Sequence, residues 1–351
     1  MSCRALMPLL VILAGTVLGA LLSPPAAGGA AFDDGAVEQI HYPTWFKQSF
    51  LDLREDAADA AEAGKQGLFL FFATQGCSYC HLFLAESLAD PAIAARVQAH
   101  FDSIGLEIFS DAELTDFAGD TTRVKKFAVE QGVEFAPTLL FYDTGGRLLV
   151  RLTGYYDPAR FEQVLDYLID GHHETMSLRD YLAGAPATAG DGGGLIDDPL
   201  FSAPPYALDR SRMRAQRPLL VVFEATGCPR CRRFHDEVLG DASIRERLDG
   251  FDVVRLDAAD TATPVLTPDG GRTTPRAWYQ TLGFTELPAL VFFDEGGRRV
   301  LSTDALVLAH RMHNSIGFVA DRAYEQGWTY QRYARSQALK RFGAGNDRPG
   351  Q

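Results

Sequence analysis

Two stretches of the chain show the same order of apolar and polar positions. Each begins with a short apolar run, at 68–73 and again at 219–224, which predicts a buried β-strand followed by a loop and a helix. Further strands are predicted near 101–108 and on both sides of a Gly-Gly turn within 138–152, and a last helix covers 158–170. Apolar strands with little alternation, separated by helices, are typical of a sheet covered on both faces. The predicted fold class is therefore α/β, as an α/β sandwich.

The second stretch repeats the first at a constant offset of 151 residues. Around the cysteines, the matching positions are Phe72, Gly76, Cys77, Cys80 and Phe83 in the first and Phe223, Gly227, Cys228, Cys231 and Phe234 in the second. Sixty residues beyond each first cysteine, "FAPTLLFYDTGGR" matches "ELPALVFFDEGGR". We therefore predict two tandem domains, at 41–185 and 199–342, joined by a Gly-, Ala- and Asp-rich linker at 186–198. A disordered tail is predicted at 343–351.

The first thirty residues differ from the rest of the chain. An apolar run from 5 to 22 follows Arg4 and precedes "SPPAAGGAA", a pattern typical of a secretory signal peptide over 1–30. Because this run is also near the length of a membrane-spanning helix, an uncleaved anchor is the alternative. Both hypotheses place the body of the protein outside the cytoplasm, in the periplasm or anchored to the inner membrane and facing the periplasm.

The composition limits the classes of partner. The chain has 351 residues, of which 46% are hydrophobic and 23% charged, as expected for a globular protein with two domains. Its net charge of -13 argues against a nucleic acid as partner.

The cysteines carry the candidate chemistry. Beyond Cys3, which lies in the predicted leader, the chain has two Cys-x-x-Cys pairs, and such isolated pairs in an exported protein indicate redox-active dithiols or metal ligands. Cys77–His81 also fits a c-type haem attachment motif, but the duplicate has Arg232 where His81 would have to be repeated. Zinc would need four ligands held together, and the two pairs lie in separate repeats. Thiol–disulfide exchange is the favoured interpretation of the two Cys-x-x-Cys pairs, and no metal or cofactor is predicted.

The spacing assigns a role to each cysteine. A cysteine in the first turn of a helix lies among unpaired backbone N–H groups, which favour the thiolate over the thiol. Cys77 and Cys228 are therefore predicted to attack a disulfide. Cys80 and Cys231 follow one turn later and are predicted to resolve the mixed disulfide.

A buried strand, a Gly-Cys-x-x-Cys helix start, a proline sixty residues on and a β-hairpin together resemble the thioredoxin superfamily. The polar insertion "FSDAELTDFAGDTTRVKKF" and the segment "GYYDPARF" are more specifically similar to SoxW-type periplasmic thioredoxin-like proteins. The resemblance implies two tandem thioredoxin-like domains. It also implies cis-prolines at Pro137 and Pro288, whose neighbours Ala136 and Leu287 offer backbone groups to an extended substrate peptide.

The motif departs from the thioredoxin pattern in ways that should change the redox properties. The family's intervening Gly-Pro dipeptide is replaced by Ser78-Tyr79 in one site and Pro229-Arg230 in the other. Arg230 is expected to stabilise the Cys228 thiolate, which would make the second disulfide the stronger oxidant and pass electrons from the first domain to the second. The family's buried acid is absent from its usual position, but Glu224 lies two residues along the same strand and is a candidate proton shuttle.

The predicted function is that of an extracytoplasmic thiol–disulfide oxidoreductase. Its predicted substrates are protein or peptide disulfides and dithiols, and the predicted electron donor is a membrane protein of the thiol–disulfide type. The alternative is a non-catalytic peptide-binding or scaffold protein built on the same fold.

Overall fold

The computed structural model describes residues 32–184 and 194–346. The predicted signal peptide or anchor at 1–30 lies outside these ranges, as do most of the predicted linker and the last residues of the predicted tail. In the described ranges, no helix combines the length and the apolar character needed to cross a membrane.

The first domain is built around a four-stranded mixed sheet in the order β2-β1-β5-β6, in which β1 and β2 are parallel and the other neighbours antiparallel. A separate hairpin, β3-β4, lies in the polar insertion. The strands are β1 (Gly67–Ala73), β2 (Phe101–Glu107), β3 (Glu113–Thr115), β4 (Thr121–Arg123), β5 (Thr138–Asp143) and β6 (Leu148–Thr153). The helices are α1 (Leu53–Glu62), α2 (Ser78–Leu82), α3 (Pro91–His100), α4 (Val124–Glu130), α5 (Pro158–Ile169) and α6 (Leu178–Gly184).

The second domain repeats this topology, with a sheet in the order β8-β7-β11-β12 and a small hairpin, β9-β10. Its strands are β7 (Leu219–Glu224), β8 (Asp252–Asp257), β9 (Val265–Leu266), β10 (Arg272–Thr273), β11 (Ala289–Phe293) and β12 (Arg299–Thr303). Its helices are α7 (Pro229–Phe234), α8 (Ala242–Leu248), α9 (Pro275–Thr281), α10 (Ala309–Ala320) and α11 (Tyr330–Asn346). A single π-helical turn follows both α2 and α7.

The central strand of each sheet is buried along its whole length. In β1, Phe69 and Phe71 pack into the cluster that contains α3 and α5, whereas Leu68, Leu70 and Phe72 pack into the cluster that contains α1 and α4. Because successive side chains of a strand point to opposite faces, an uninterrupted apolar run requires a cover on both sides. The prediction of two α/β sandwich domains is confirmed.

Two segments are more ordered than the sequence suggests. Helix α11 continues to Asn346, so the first part of the predicted tail is helical. The predicted linker ends in Asp198, which is 9% exposed and forms an ion pair with Arg245 of α8. The end of the linker therefore belongs to the packed second domain, because the side chain of Asp198 gains a charged partner there.

The two domains touch through equivalent segments, 154–161 and 305–312. Gly154 approaches Ala305, its counterpart in the repeat, so closely that a Cβ on Gly154 would lie 2.3 Å from that of Ala305. Gly154 also has a φ of +85°, which favours glycine. On one side of this contact Phe135 of the first domain packs into the apolar cluster of the second, against the ring of Tyr330.

Candidate functional site

Each predicted redox pair forms a disulfide at the start of a helix. Cys77 is the N-cap residue of α2, and its Sγ accepts a hydrogen bond from the Cys80 backbone N–H at 3.1 Å. Cys228 caps α7 in the same way, with a distance of 3.0 Å to the Cys231 backbone N–H. In both helices, an amide of the first turn therefore points at the first sulfur, where it would stabilise a thiolate.

The two cysteines of each pair differ in their access to solvent. Cys80 and Cys231 are 0% and 2% exposed, whereas Cys77 and Cys228 are half-buried. A substrate disulfide can therefore reach the first sulfur of each pair more easily than the second. This fits the predicted division into attacking and resolving cysteines, which stays a prediction.

The peptide bonds Ala136–Pro137 and Leu287–Pro288 are both cis, in agreement with the resemblance. The structure places both proline loops at the contact between the domains. The Ala136 carbonyl, implied to serve a substrate peptide, accepts a hydrogen bond from Arg311 of α10 at 2.8 Å. Pro288 lines a cavity of about 200 Å³ together with Tyr155, Tyr156 and Arg160 of the first domain, and Leu287 is partly buried against the second core.

Ser78 and Tyr79 bond to a residue of the N-terminal segment. The Ser78 hydroxyl donates to the Asp34 carbonyl at 3.0 Å, and the Tyr79 hydroxyl donates to the Asp34 carboxylate at 2.9 Å. Burial raises the pKa of Tyr79 well above its ordinary value, and its ring lies 3.5 Å below the guanidinium of Arg311. These two side chains therefore link the start of α2 to the N-terminal segment and to Arg311, in addition to any effect on the Cys77 sulfur.

Arg230 has a carboxylate partner that the sequence does not reveal. Its guanidinium forms an ion pair with Glu286, and the same carboxylate also pairs with Arg160 from the first domain. Because Glu286 is only 7% exposed, its negative charge is weakly screened, but this one carboxylate is shared by two guanidiniums and so offsets only part of the positive charge of Arg230 near Cys228. The expected stabilisation of the Cys228 thiolate is therefore reduced but not removed, and it stays a prediction, as does the direction of electron flow derived from it.

Glu224 belongs to a buried chain of polar groups beneath the second disulfide. Its Oε1 lies 2.8 Å from Nε2 of His235, whose Nδ1 lies 3.5 Å from Asp198. A cavity of about 40 Å³, lined by Glu224, Cys228 and Cys231, is large enough for a water molecule. The equivalent positions of the first domain hold Ala73 and Leu84, so this candidate proton route exists in one domain of the two.

The sequence pattern did not identify His235 and Asp198 as partners of Glu224 near the second disulfide. His235 lies seven positions after Cys228 on an interrupted helix, and Asp198 lies in a segment with the composition of a linker. The one available signal is the repeat itself, in which a polar pair replaces the apolar residues Ala73 and Leu84 at Glu224 and His235. Such a paired change from apolar to polar at core positions suggests that the two side chains contact each other.

The geometry of the cysteines gives no support to the haem and zinc alternatives. His81 is exposed on α2, and both pairs of sulfurs are bonded to each other. Across 32–184 and 194–346, no group of three or more His, Cys, Asp or Glu side chains is arranged to hold a metal ion.

Comparison with known proteins links this geometry to a family. The family model of the thioredoxin-like domain matches residues 53–169 and 206–319. Among solved structures, the chain is similar to a thioredoxin-fold protein from Helicobacter pylori, with 22% identity and a TM-score of 0.32, over 40% of this chain and 85% of that one. It is similar to a thioredoxin from Thermus thermophilus, with 22% identity and a TM-score of 0.27, over 36% of this chain and 95% of that one.

A third similar structure is the DsbH oxidoreductase, with 14% identity and a TM-score of 0.27, over 38% of this chain and 88% of that one. A comparison with curated proteins found no match. Because the family model covers more than half of the chain in two copies, each with its own Cys-x-x-Cys disulfide at a helix start, the protein belongs to the thioredoxin-like domain family and is a thiol–disulfide oxidoreductase.

Proposed function

We propose that the protein acts outside the cytoplasm and exchanges disulfides with protein or peptide substrates through both of its dithiols. The observation that carries this proposal is the pairing, in both domains, of a half-buried first cysteine with a buried second one. A mixed disulfide formed at the accessible sulfur can then be resolved from within the helix, where competing thiols have little access.

The catalytic part of the proposal is tested by insulin reduction in the presence of dithiothreitol. The chain without its first thirty residues should accelerate precipitation of the insulin B chain. The double variant Cys77→Ser, Cys228→Ser should lose this acceleration, and each single variant should retain part of it. Full activity in the double variant would show that other groups carry the exchange.

The location outside the cytoplasm is supported by the sequence pattern of 1–30. Amino-terminal sequencing of the native protein tests it, and a mature terminus near Ala30 or Ala31 in the periplasmic fraction is the expected result. Recovery of Met1 or Ser2 in the membrane fraction would favour the anchored form, and recovery from the cytosol would contradict both forms.

An extracytoplasmic reductase needs a source of electrons, because each turnover oxidises one dithiol to a disulfide. We therefore propose a membrane protein of the thiol–disulfide type as donor. Trapping of mixed disulfides with a Cys80→Ser, Cys231→Ser variant tests this partner, since the attacking cysteines stay free to react while resolution is blocked.

A scaffold function is the second candidate, and the position of the proline loops favours it. Ala136 is 2% exposed and its carbonyl already has a hydrogen bond donor, which limits access of a protein substrate to the first site. The insulin assay separates the two functions, because a scaffold should show no turnover in any variant.

A further inference from the structure

A cleft of about 660 Å³ opens beside the first disulfide. One side is formed by the N-terminal segment 34–39 and by the loop and helix start 74–79, which includes Cys77. The opposite side is formed by α10 and α11 of the second domain. A volume of this size accommodates a small molecule and is typical of ligand sites, which lie preferentially between domains.

The side formed by α10 and α11 carries unpaired positive charge. Arg311, Arg335 and Arg341 line the cleft, and none of them forms an ion pair with a carboxylate within 32–184 and 194–346. Arg335 lies over the ring of Phe109, with 5.0 Å between its Cζ and the ring centroid. Arg341 donates to His310, a half-buried ring whose pKa is lowered by burial and by this arginine.

Two acidic side chains, Asp34 and Glu38, line the opposite side. The Asp34 carboxylate accepts hydrogen bonds from the backbone N–H groups of His310 and Arg311 at 3.2 and 2.9 Å. Its negative charge is therefore directed at the N-terminus of α10 and stabilises that helix end. The α11 side of the cleft is therefore positive in a chain whose net charge is -13.

Two buried amide side chains also line the cleft. Asn314 and Gln331 are 9% and 7% exposed, and their amide groups have no hydrogen-bond partner among the residues that the structure describes. Although the two residues are largely buried, their amide atoms stay accessible from the cleft, so they are free to bond to water or to a ligand there. Together with Arg335, they offer donors to a carboxylate and acceptors to an ammonium or amide group.

We propose that this cleft binds a low-molecular-mass disulfide that bears carboxylate groups, and that Cys77 exchanges with it. The proposal rests on the redox activity of the first dithiol and defines its substrate class. A protein substrate is less suited to this site, because its extended chain would have to displace Arg311 from the Ala136 carbonyl. A small disulfide can reach Cys77 through the cleft without that displacement.

The exchange balances in two steps. The Cys77 thiolate attacks one sulfur of the small disulfide, forms a mixed disulfide and releases the other half as a thiolate. The Cys80 thiolate, after losing its proton to solvent, attacks the Cys77 sulfur, closes the Cys77–Cys80 disulfide and releases the second half. Two electrons pass from the dithiol to the small disulfide, and a dithiol reductant then restores the site.

The test uses the chain with Cys228→Ser and Cys231→Ser, so that only the first site reacts, with dithiothreitol as reductant. The probes are glutathione disulfide, which bears carboxylates, the uncharged bis(2-hydroxyethyl) disulfide, and insulin. Rates are corrected for direct reduction by dithiothreitol. This Cys228→Ser, Cys231→Ser chain is the parent of the variants below, and it should have a higher kcat/KM for glutathione disulfide than for the uncharged probe.

Arg335→Gln should lower kcat/KM for glutathione disulfide by about tenfold, mainly through KM, because a charge-assisted hydrogen bond is lost. The same variant should change the value for the uncharged disulfide less than twofold, and Arg335→Lys should restore much of the loss. Arg332→Gln is the matched control, since Arg332 is exposed on the same helix and stacks on Trp328 outside the cleft.

Equal effects of Arg335→Gln on the charged and uncharged probes would overturn the proposal. So would reduction of insulin at this site with no preference for glutathione disulfide, a result that leaves the oxidoreductase function intact. Loss of reaction with all three probes in the parent chain, by contrast, would contradict the redox activity of the first dithiol itself.

Discussion

Arg160 and Arg311 occupy equivalent positions of the two repeats, and each guanidinium reaches into the other domain. Arg160 pairs with the Glu286 carboxylate in the second domain, while Arg311 donates to the Ala136 carbonyl in the first. Both targets lie within two residues of a cis-proline. The loop that the resemblance associates with substrate binding is therefore contacted by the partner domain in both copies, which couples the accessibility of the sites to the contact between the domains.

Replacement of Arg311 by glutamine should open the first site to proteins. The Ala136 carbonyl loses its donor, so insulin reduction through Cys77 should rise severalfold in the Cys228→Ser, Cys231→Ser chain. The free energy of unfolding should fall by about 1–3 kcal/mol, because a buried carbonyl loses a charged donor. Urea unfolding and the insulin assay measure the two effects, and an unchanged insulin rate would show that Arg311 does not limit access.

Replacement of Asp34 by alanine should destabilise α10. This helix has Leu308 at its N-cap, which offers no side-chain hydrogen bond, whereas the equivalent residue Asp157 caps α5 directly. Asp34 supplies the missing acceptor from a distant part of the chain, so its loss should cost about 1–2 kcal/mol. Asp33→Ala is the control, because Asp33 is exposed and, among the residues that the structure describes, its carboxylate accepts a hydrogen bond only from the nearby Gly35 amide. An equal loss in both variants would contradict the capping role.

Glycine at position 154 should be required for the domain contact. Gly154→Ala adds a methyl group against Ala305 and also strains a backbone with a φ of +85°. Gly171→Ala is a matched control, because its φ is +75° and no atom lies within 4 Å of the added Cβ. Both variants should lose about 1–2 kcal/mol from the backbone, and Gly154→Ala should lose about 1–3 kcal/mol more from the clash. Equal thermal stability of Gly154→Ala and Gly171→Ala would show that the domain contact accommodates the added methyl group without loss of stability.

Replacement of Glu224 by glutamine should slow the second site alone. If Glu224 moves a proton to or from Cys231, the rate of resolution should fall about tenfold or more, with an altered dependence on pH. Rapid-mixing measurements on a chain with Cys77→Ser and Cys80→Ser would show this. Glu237→Gln is the control, because Glu237 is half-exposed and pairs with Arg233 on the helix surface. An unaltered rate and pH profile in Glu224→Gln would assign a structural role to the Glu224–His235 pair.

Much of the fold could be predicted from the sequence because its signals are local or repeated. The apolar runs at 68–73 and 219–224 are long enough to require a cover on both faces, and the offset of 151 residues marks each element twice. The disulfide pairs follow from spacing, since two intervening residues in a helix bring the cysteines within one turn. Helix α11 departs from the prediction at its end, where its last residues continue beyond the segment assigned to the domain.

The surroundings of the cysteines, by contrast, depend on contacts between distant parts of the chain. Arg311 and Ala136 are 175 residues apart, Asp34 and Arg311 are 277 apart, and Arg230 and Glu286 are 56 apart. No local pattern encodes these pairs. The Arg230–Glu286 pair forms only when the second domain folds, and the other two form only when that domain packs against the first domain and the N-terminal segment. The sequence could therefore identify the dithiols and their helices, whereas the packing of the domains decided which charges, hydrogen bonds and cavities surround each sulfur.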